Sequence, residues 1–216
     1  MGRRREHDDN TAAALLDAAE RTIAEEGVDA LSLREVARDA GTTTRAIYTL
    51  FGSKEGLLGA LGVRAFSLLQ RAGEALPATD QPARDVVEAA LIFRRFALEH
   101  PALFSIAFHR ADPAISPRFR AARLDALAAL EKRFDPLADA NLLGGRSIPE
   151  AAMQFALLCE GLAWGYELRG NPQPTDAERF WRNAVHALIT GFATPAPSRP
   201  RRTSHRRRPT VASPDN

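Results

Sequence analysis

The strongest constraint on this chain is the spacing of its apolar residues, which follows the period of an α-helix along almost the whole length. Near the N-terminus, Leu15, Ala19 and Ile23 fall on one stripe, and Gly27 follows as a stop signal. No segment shows the strict alternation of apolar and polar residues that marks a half-buried strand. The sequence therefore predicts an all-α protein of about nine helices.

Glycine, proline and polar turns separate the periodic segments from one another. The C-terminal stretch is rich in Pro, Ser, Thr and Arg and has no apolar period, so we expect it to be disordered. The expected helices cover residues 11–26, 33–40, 44–50, 54–74, 83–99, 102–110, 117–134, 149–169 and 176–192.

Composition excludes several classes of protein. The chain has 216 residues, 45% of them hydrophobic and 26% charged, which is typical of a globular protein. Its single cysteine rules out a disulfide framework and fits a reducing compartment. No apolar run approaches the roughly 18 residues of a membrane span. We therefore expect a cytoplasmic protein without membrane contacts, and the five histidines show no spacing that indicates a metal or cofactor.

The net charge of +2 is unevenly distributed. Residues 195–216 hold six arginines against Asp215, a local charge of +5, so the other residues sum to −3. The basic pI of the chain is thus no argument for nucleic-acid binding by the folded part, which needs a local basic face. The arginines of the tail either add non-specific DNA affinity or only solvate the chain.

Residues 32–51 have the pattern of a helix-turn-helix. Ser32 and Glu35 form a capping box at the start of one short helix, and Gly41 ends that helix. A second short helix starts at Thr44, and Ser53 caps the helix that follows it. In such a motif the second helix enters the major groove of DNA.

The charge of this segment also points to DNA. From Gly41 to Lys54 there are two basic residues and no acid. Carboxylates on that face would be repelled by phosphates, whereas hydroxyl groups and arginine can donate hydrogen bonds to phosphates and base edges. Lys54 lies in the first turn of a helix, where the helix dipole disfavours a cation unless an anion docks there. If Ile47, Leu50 and Phe51 point inward, the outer faces carry Thr43, Thr44, Arg45, Tyr48 and Thr49.

Residues 31–58, with Tyr48-x-x-Phe51 and Ser53-Lys54-Glu55-x-Leu57-Leu58, resemble the DNA-binding signature of the tetracycline-repressor (TetR) family. The chain departs from the usual family pattern at Thr42-Thr43 and at Leu50, which changes the expected base preference more than the fold. The resemblance implies phosphate contacts by Ser32, Thr43, Tyr48 and Lys54, and base contacts by Thr44, Arg45 and Thr49.

Each of these residues also has a simpler explanation. Tyr48 would then be a half-buried aromatic residue of the three-helix core, and Arg34 and Arg45 would be solvated surface charges. Lys54 would be an ordinary exposed lysine. The threonines would be helix caps without a DNA contact, and for Thr42 we favour this explanation.

The resemblance further implies that residues 9–69 form the DNA-binding domain and residues 70–194 a helical domain for ligand binding and dimerisation. Aromatic residues concentrated in the second domain indicate a pocket for an apolar or aromatic effector of unknown identity; the alternative is a filled core. Arg94-Arg95 and His109-Arg110 either hold an anionic ligand group or are surface charges. The expected pocket residues are Phe93, Phe96, Phe104, Phe108, Met153 and Trp164.

The last two predicted helices suit a homodimer interface. Gly161 and Gly165, four residues apart, allow close approach of another helix, and a long apolar stripe follows on the last helix. The alternative is that this stripe packs within its own subunit. A two-fold dimer predicts a pseudo-palindromic double-stranded operator. The expected interface residues of the stripe are Trp181, Val185, Leu188 and Phe192.

These patterns together predict a sequence-specific transcriptional repressor that a small effector releases from its operator. The alternatives are an all-α ligand-binding protein or a helical scaffold, each with a vestigial helix-turn-helix. The sequence has no phosphate-binding loop, nucleophile elbow or dinucleotide fingerprint, so we expect no enzymatic activity. Cys159 lies in an apolar stretch, which favours an inert buried thiol over a redox sensor.

Overall fold

The computed structural model describes residues 2–109, 116–168 and 176–193, with the backbone alone at 2–7 and 166–168. Every regular element in these ranges is helical, which confirms the all-α prediction. The predicted tail at 195–216 and Arg110 lie outside the described residues. Within the described ranges, no helix combines the length and apolarity that crossing a bilayer requires.

The α-helices match the predicted segments closely, and short 3₁₀ and π turns supplement them. A 3₁₀ turn covers Val28–Ala30, while the π turns Ser105–His109 and Ala163–Leu168 continue α6 and α9. The helices are α1 Gly2–Glu26, α2 Leu33–Asp39, α3 Thr44–Phe51, α4 Lys54–Glu74, α5 Pro82–Glu99, α6 Pro101–Phe104, α7 Pro117–Lys132, α8 Asp135–Asp139, α9 Ile148–Leu162 and α10 Ala177–Phe192.

Two element bounds differ from the prediction. Helix α1 begins at Gly2 instead of residue 11. The added residues are polar and show no apolar stripe, but nothing between Arg3 and Asn10 breaks a helix, so α1 extends through them. The short helix α8 was not predicted, because its five residues are too few to show a helical period.

The first four helices enclose a small core. Leu15 of α1, Val36 of α2, Ile47 of α3 and Leu57 and Leu61 of α4 are all fully buried. Burying each of these side chains contributes about 1.5–3 kcal/mol before the entropy of ordering is subtracted. This core holds α3 by the one face that carries Ile47. The other faces of α3 lie at the surface.

The remaining helices pack around α4 and α5, with α7 along α4 and α10 along α5. Trp181, Val185 and Phe192 of α10 are buried within this single chain. Side chains already removed from solvent in one subunit cannot gain contact area from another, so the prediction of these three as interface residues is wrong. The alternative stated above, packing within the subunit, describes them instead.

Helices α4 and α7 approach each other closely at Gly62. A β-carbon at this position would overlap the ring of Phe119. That ring is buried and stands edge-on to Phe66, with 5.5 Å between ring centroids, so it has little room to move. The glycine at 62 is therefore required by the contact between two helices.

We expect Gly62→Ala to lower the free energy of unfolding by about 1–3 kcal/mol, because one methyl group overfills a packed contact. Gly73→Ala in the same helix is the matched control, since a β-carbon there meets nothing within 4 Å. The control should be neutral or stabilising by about 0.4–1 kcal/mol. Urea unfolding followed by circular dichroism measures both, and equal stabilities would show that α7 can move away.

Candidate nucleic-acid interface

Helix α2 begins and ends with local hydrogen bonds. The Ser32 hydroxyl oxygen accepts a bond from the Glu35 backbone N–H at 3.5 Å, the predicted N-cap. At the other end, the Thr42 N–H donates to the Ala37 carbonyl at 2.8 Å. Gly41 has φ 65°, the left-handed conformation that this helix ending needs. The turn between α2 and α3 is thus set by local sequence.

Helix α3 is capped by Thr43. The Thr43 hydroxyl oxygen accepts a hydrogen bond from the Ala46 N–H at 3.4 Å. The prediction that Thr42 is the cap is therefore wrong by one residue. Because only the oxygen of Thr43 is used, its hydroxyl proton is left to donate to an anion.

The side chains of α3 divide as the motif requires. Ile47 is fully buried, whereas Thr43, Arg45 and Thr49 are exposed and Thr44 is partly exposed. Tyr48 is 57% exposed, which argues against a place in the three-helix core. The outer face of α3 thus presents hydroxyl groups and one guanidinium.

Lys54 has a role that the sequence did not reveal. Its ammonium Nζ donates to the Leu31 carbonyl oxygen at 2.7 Å, across the start of α4 and the loop before α2. The side chain is partly buried, so it is neither an ordinary exposed lysine nor wholly available to a phosphate. An ammonium group has three donors, so two remain for a phosphate at the same place.

The turn between α3 and α4 is tight. Gly52 has φ 80°, and a β-carbon on Gly56 would overlap the Phe51 carbonyl oxygen. The Ser53 hydroxyl caps α4 by accepting from the Gly56 N–H at 3.0 Å. Hydrogen bonds from its own backbone N–H and from Ser53 lower the pKa of Glu55, so this exposed carboxyl is ionised at neutral pH. Lys54 lies beside it and offsets its charge.

Four of the predicted pocket residues are linked by ring contacts. Phe93, Phe104 and Phe108 touch one another, with ring centroids 5.0–5.8 Å apart. Trp164 connects to them through His109, whose ring lies 3.7 Å from the Trp164 ring and 5.4 Å from Phe104. We call Phe66, Phe93, Phe104, Phe108 and Phe119 the aromatic cluster.

Sequence reasoning missed two members of the aromatic cluster. Phe66 of α4 lies 5.5 Å from both Phe108 and Phe119. Both rings belong to helices whose apolar stripe could have indicated them, but the predicted set was drawn from α5, α6 and α9 alone. Phe66 matters most, because it places α4 in contact with the cluster.

The other two predicted pocket residues lie apart from the aromatic cluster. Phe96 is buried with its ring 5.6 Å from His100. Met153 is 41% exposed on the outer face of α9. Both residues follow the helical period, as the sequence predicts. The orientation of each helix about its own axis, however, places their side chains away from the aromatic cluster.

Ion pairs join α1 to the helices behind it. Arg64 of α4 pairs with Asp17 of α1 and lies 3.6 Å from Glu20. Glu20 is largely shielded from solvent and also contacts His100, between α5 and α6, at 2.9 Å. Partial burial reduces solvent screening of the Arg64 pairs, which hold α1 against α4, while the contact of Glu20 with His100 links α1 to the start of α6.

The predicted glycines of the dimer interface are Gly161 on an open face of α9 and Gly165 in the π turn that follows α9. Met153, Leu157 and Gly161 follow at intervals of four residues and are all exposed, with Leu157 at 59%. A β-carbon on Gly161 or Gly165 meets nothing within 4 Å. Leu188 of α10 is partly exposed, unlike the buried remainder of its stripe.

Two ionisable groups of α9 are shifted by burial. Burial raises the pKa of the Cys159 thiol, which therefore stays protonated and unreactive at neutral pH, as predicted. Burial also raises the pKa of Glu160, and the nearby Arg123 of α7 opposes that shift.

We expect Lys54→Met to lower the free energy of unfolding by about 1–3 kcal/mol, because the Leu31 carbonyl loses its charged donor. Arg34→Met on α2 is the control, since within the described residues Arg34 is exposed and makes no hydrogen bond or ion pair. It should change stability by less than about 0.5 kcal/mol. Thermal unfolding of both variants measures the difference in stability. A Lys54→Met protein as stable as the native one would show that the hydrogen bond from Lys54 to Leu31 contributes nothing to stability.

The chain has recognisable relatives in sequence and in structure. It matches the family model of the bacterial regulatory proteins of the tetR family over residues 15–61. An HTH-type transcriptional regulator of Mycobacterium tuberculosis is 29% identical over 60% of this chain and 61% of that protein. The chain thus aligns with less than two thirds of the length of this curated relative.

Solved structures share the fold over most of the chain. A Rhodococcus protein of unknown function superposes with a TM-score of 0.69 at 24% identity, covering 85% of this chain and 96% of that one. The TetR family regulator PfmR of Thermus thermophilus gives 0.63 at 22%, covering 82% and 97%. AibR, solved with isovaleryl coenzyme A and operator DNA, gives 0.62 at 17%, covering 83% and 98%. Residues 15–61, which hold the helix-turn-helix, are thus the part of the chain that is similar to the tetR family of bacterial regulatory proteins.

Proposed function

We propose that this protein is a homodimeric, cytoplasmic transcriptional repressor that binds a pseudo-palindromic operator and leaves it when a small apolar or aromatic effector binds. The observation that carries the proposal is the outer face of α3, which is exposed, free of acids and supplied with hydroxyl groups and one arginine. A vestigial motif would be under no pressure to keep carboxylates away from that face.

Phosphate contacts fall to the groups that flank α3. Ser32 and Thr43 use their oxygens as helix caps and keep a proton to donate. The Tyr48 hydroxyl is exposed, and Lys54 retains two donors beside the Leu31 carbonyl. Such contacts fix the register of a protein on the duplex and leave base reading to other residues.

The exposed stripe of α9 supports a dimer. Met153, Leu157 and Gly161 form an apolar face on one side of a helix, and at Gly161 a second helix can approach closely. A two-fold dimer formed through this face carries two copies of α3. The two copies can enter successive major grooves of a duplex when they are about 34 Å apart. The interface then consists of α9 with Leu188 of α10, and not of the buried stripe of α10.

The aromatic cluster is our proposed effector site. An apolar ligand inserted among these rings displaces Phe66 or its neighbours, and Phe66 lies on α4, whose first half packs under α3. A ligand that prefers one position of α4 shifts the population of dimers between spacings of α3. Coupling of about 1–3 kcal/mol changes operator affinity about 5- to 150-fold. In AibR, the same fold accommodates an acyl coenzyme A and operator DNA together.

We expect the protein to enrich a palindromic sequence from a library of random duplexes. Tyr48→Phe should then weaken binding to every sequence alike, by about 2- to 10-fold, because a phosphate contact carries no base information. Thr190→Val, which removes an exposed hydroxyl from α10, is the control and should bind like the native protein. Fluorescence anisotropy at fixed salt measures all three proteins. If no sequence is enriched, the repressor proposal fails and the scaffold or ligand-binding alternative takes its place.

We expect Leu157→Lys to dissociate the dimer, because a charge in the middle of the α9 face must be desolvated on association. Leu98→Lys places the same charge at another leucine, 44% exposed on α5, and should leave the dimer intact. Sedimentation velocity reports the mass of each. If both variants remain dimeric, the interface does not lie on α9 and this part of the proposal is wrong.

A further inference from the structure

Thr49 makes a hydrogen bond within its own helix. Its Oγ1–H donates to the Arg45 carbonyl oxygen at 2.9 Å, four residues earlier. With the hydroxyl held against the backbone, the γ-methyl occupies another staggered position, away from that carbonyl. Thr49 is exposed and its hydroxyl proton is engaged, so the side chain can offer a partner its γ-methyl group but not that donor.

The side chain of Arg45 differs from that of Thr49 in its hydrogen bonding. Its side chain is exposed, and within the described residues its guanidinium makes no hydrogen bond or ion pair. No acid occurs between Gly41 and Lys54 to draw it aside. A guanidinium has five donors and no acceptor, so it suits a base edge that offers two acceptors.

Arg45 and Thr49 lie about one turn apart on the same face of α3. One turn advances about 5.4 Å along the helix, and base pairs stack about 3.4 Å apart in the duplex. A helix lying in the groove therefore brings the two side chains to base pairs that are neighbours or separated by one.

We infer that Arg45 and Thr49 read a guanine and a thymine of each operator half-site. The Arg45 guanidinium donates to O6 and N7 of the guanine, and the γ-methyl of Thr49 packs on the 5-methyl of the thymine. This inference rests on the proposed function and adds the bases that the site recognises. It excludes the Thr49 hydroxyl as a donor to a base, because its proton is engaged within α3.

The first test uses the operator enriched from random duplexes by the full-length native protein. We expect a guanine and a thymine in each half-site, with at most one base pair between them. An enriched sequence without this pair overturns the inference and leaves the proposed function standing. If nothing is enriched, the proposed function fails, and the inference fails with it.

The second test removes one chemical group from the DNA at a time. Replacing the thymine by uracil deletes only the 5-methyl group and should weaken native binding about 2- to 5-fold, the effect of losing about one buried methyl contact. Replacing the guanine by 7-deazaguanine deletes one acceptor and should weaken binding about 2- to 10-fold. Arg45→Ala should be insensitive to the 7-deazaguanine change.

Two variants of Thr49 separate its methyl group from its hydroxyl. Thr49→Val keeps a methyl and loses the hydroxyl, so it should bind like the native protein and still distinguish thymine from uracil. Thr49→Ser keeps the hydroxyl and loses the methyl, so it should bind more weakly and treat the two bases alike. Weaker binding by Thr49→Val with native binding by Thr49→Ser would make the hydroxyl the reader and overturn the inference. Circular dichroism melting curves confirm that both variants are folded.

Discussion

The arrangement of this protein depends on helix α4 serving two cores at once. Its first half closes the helix-turn-helix through Leu57 and Leu61, and its second half places Phe66 against the aromatic cluster. Between the two, Gly62 brings α4 close to Phe119 of α7. Because packed interiors do not deform continuously, a shift of α4 at one end must be accommodated at the other.

The helix-turn-helix could be predicted in detail because its determinants are local. The caps at Ser32 and Ser53 and the left-handed glycines at 41 and 52 bond within a few residues of themselves, so their pattern is visible in the sequence. Lys54 shows where this stops. Its hydrogen-bond partner Leu31 is 23 residues away. From the sequence alone, a lysine in the first turn of a helix indicates a phosphate ligand as well as it indicates a bond to a distant carbonyl.

The helices from α5 onward are predicted less well, because a helical period shows that an apolar stripe exists but not what covers it. The apolar stripe predicts Trp181 and Val185 of α10 as contacts of a partner subunit, yet both are buried within the same chain, in which α10 packs along α5. The reverse holds for Met153, which was assigned to a pocket and lies outside. Both errors concern the rotation of a helix about its axis relative to neighbours distant in sequence.

Two kinds of contact join the first four helices to the later ones. One is the packing of aromatic rings, and the other is a set of polar side-chain contacts made by Glu20. Phe108 lies in the π turn Ser105–His109 and touches Phe66, so ring packing connects this turn to α4. The ion pair of Glu20 with Arg64 and the hydrogen bond between Glu20 and His100 instead hold α1 to α4 and to the start of α6, and the ion pair weakens with separation far less steeply than packing does. In the proposed mechanism, a ligand that moves the rings tilts α4 while α1 stays attached to both neighbours. In the proposed dimer, the helix-turn-helix then moves as one body, which changes the spacing of the two recognition helices without unfolding either of them.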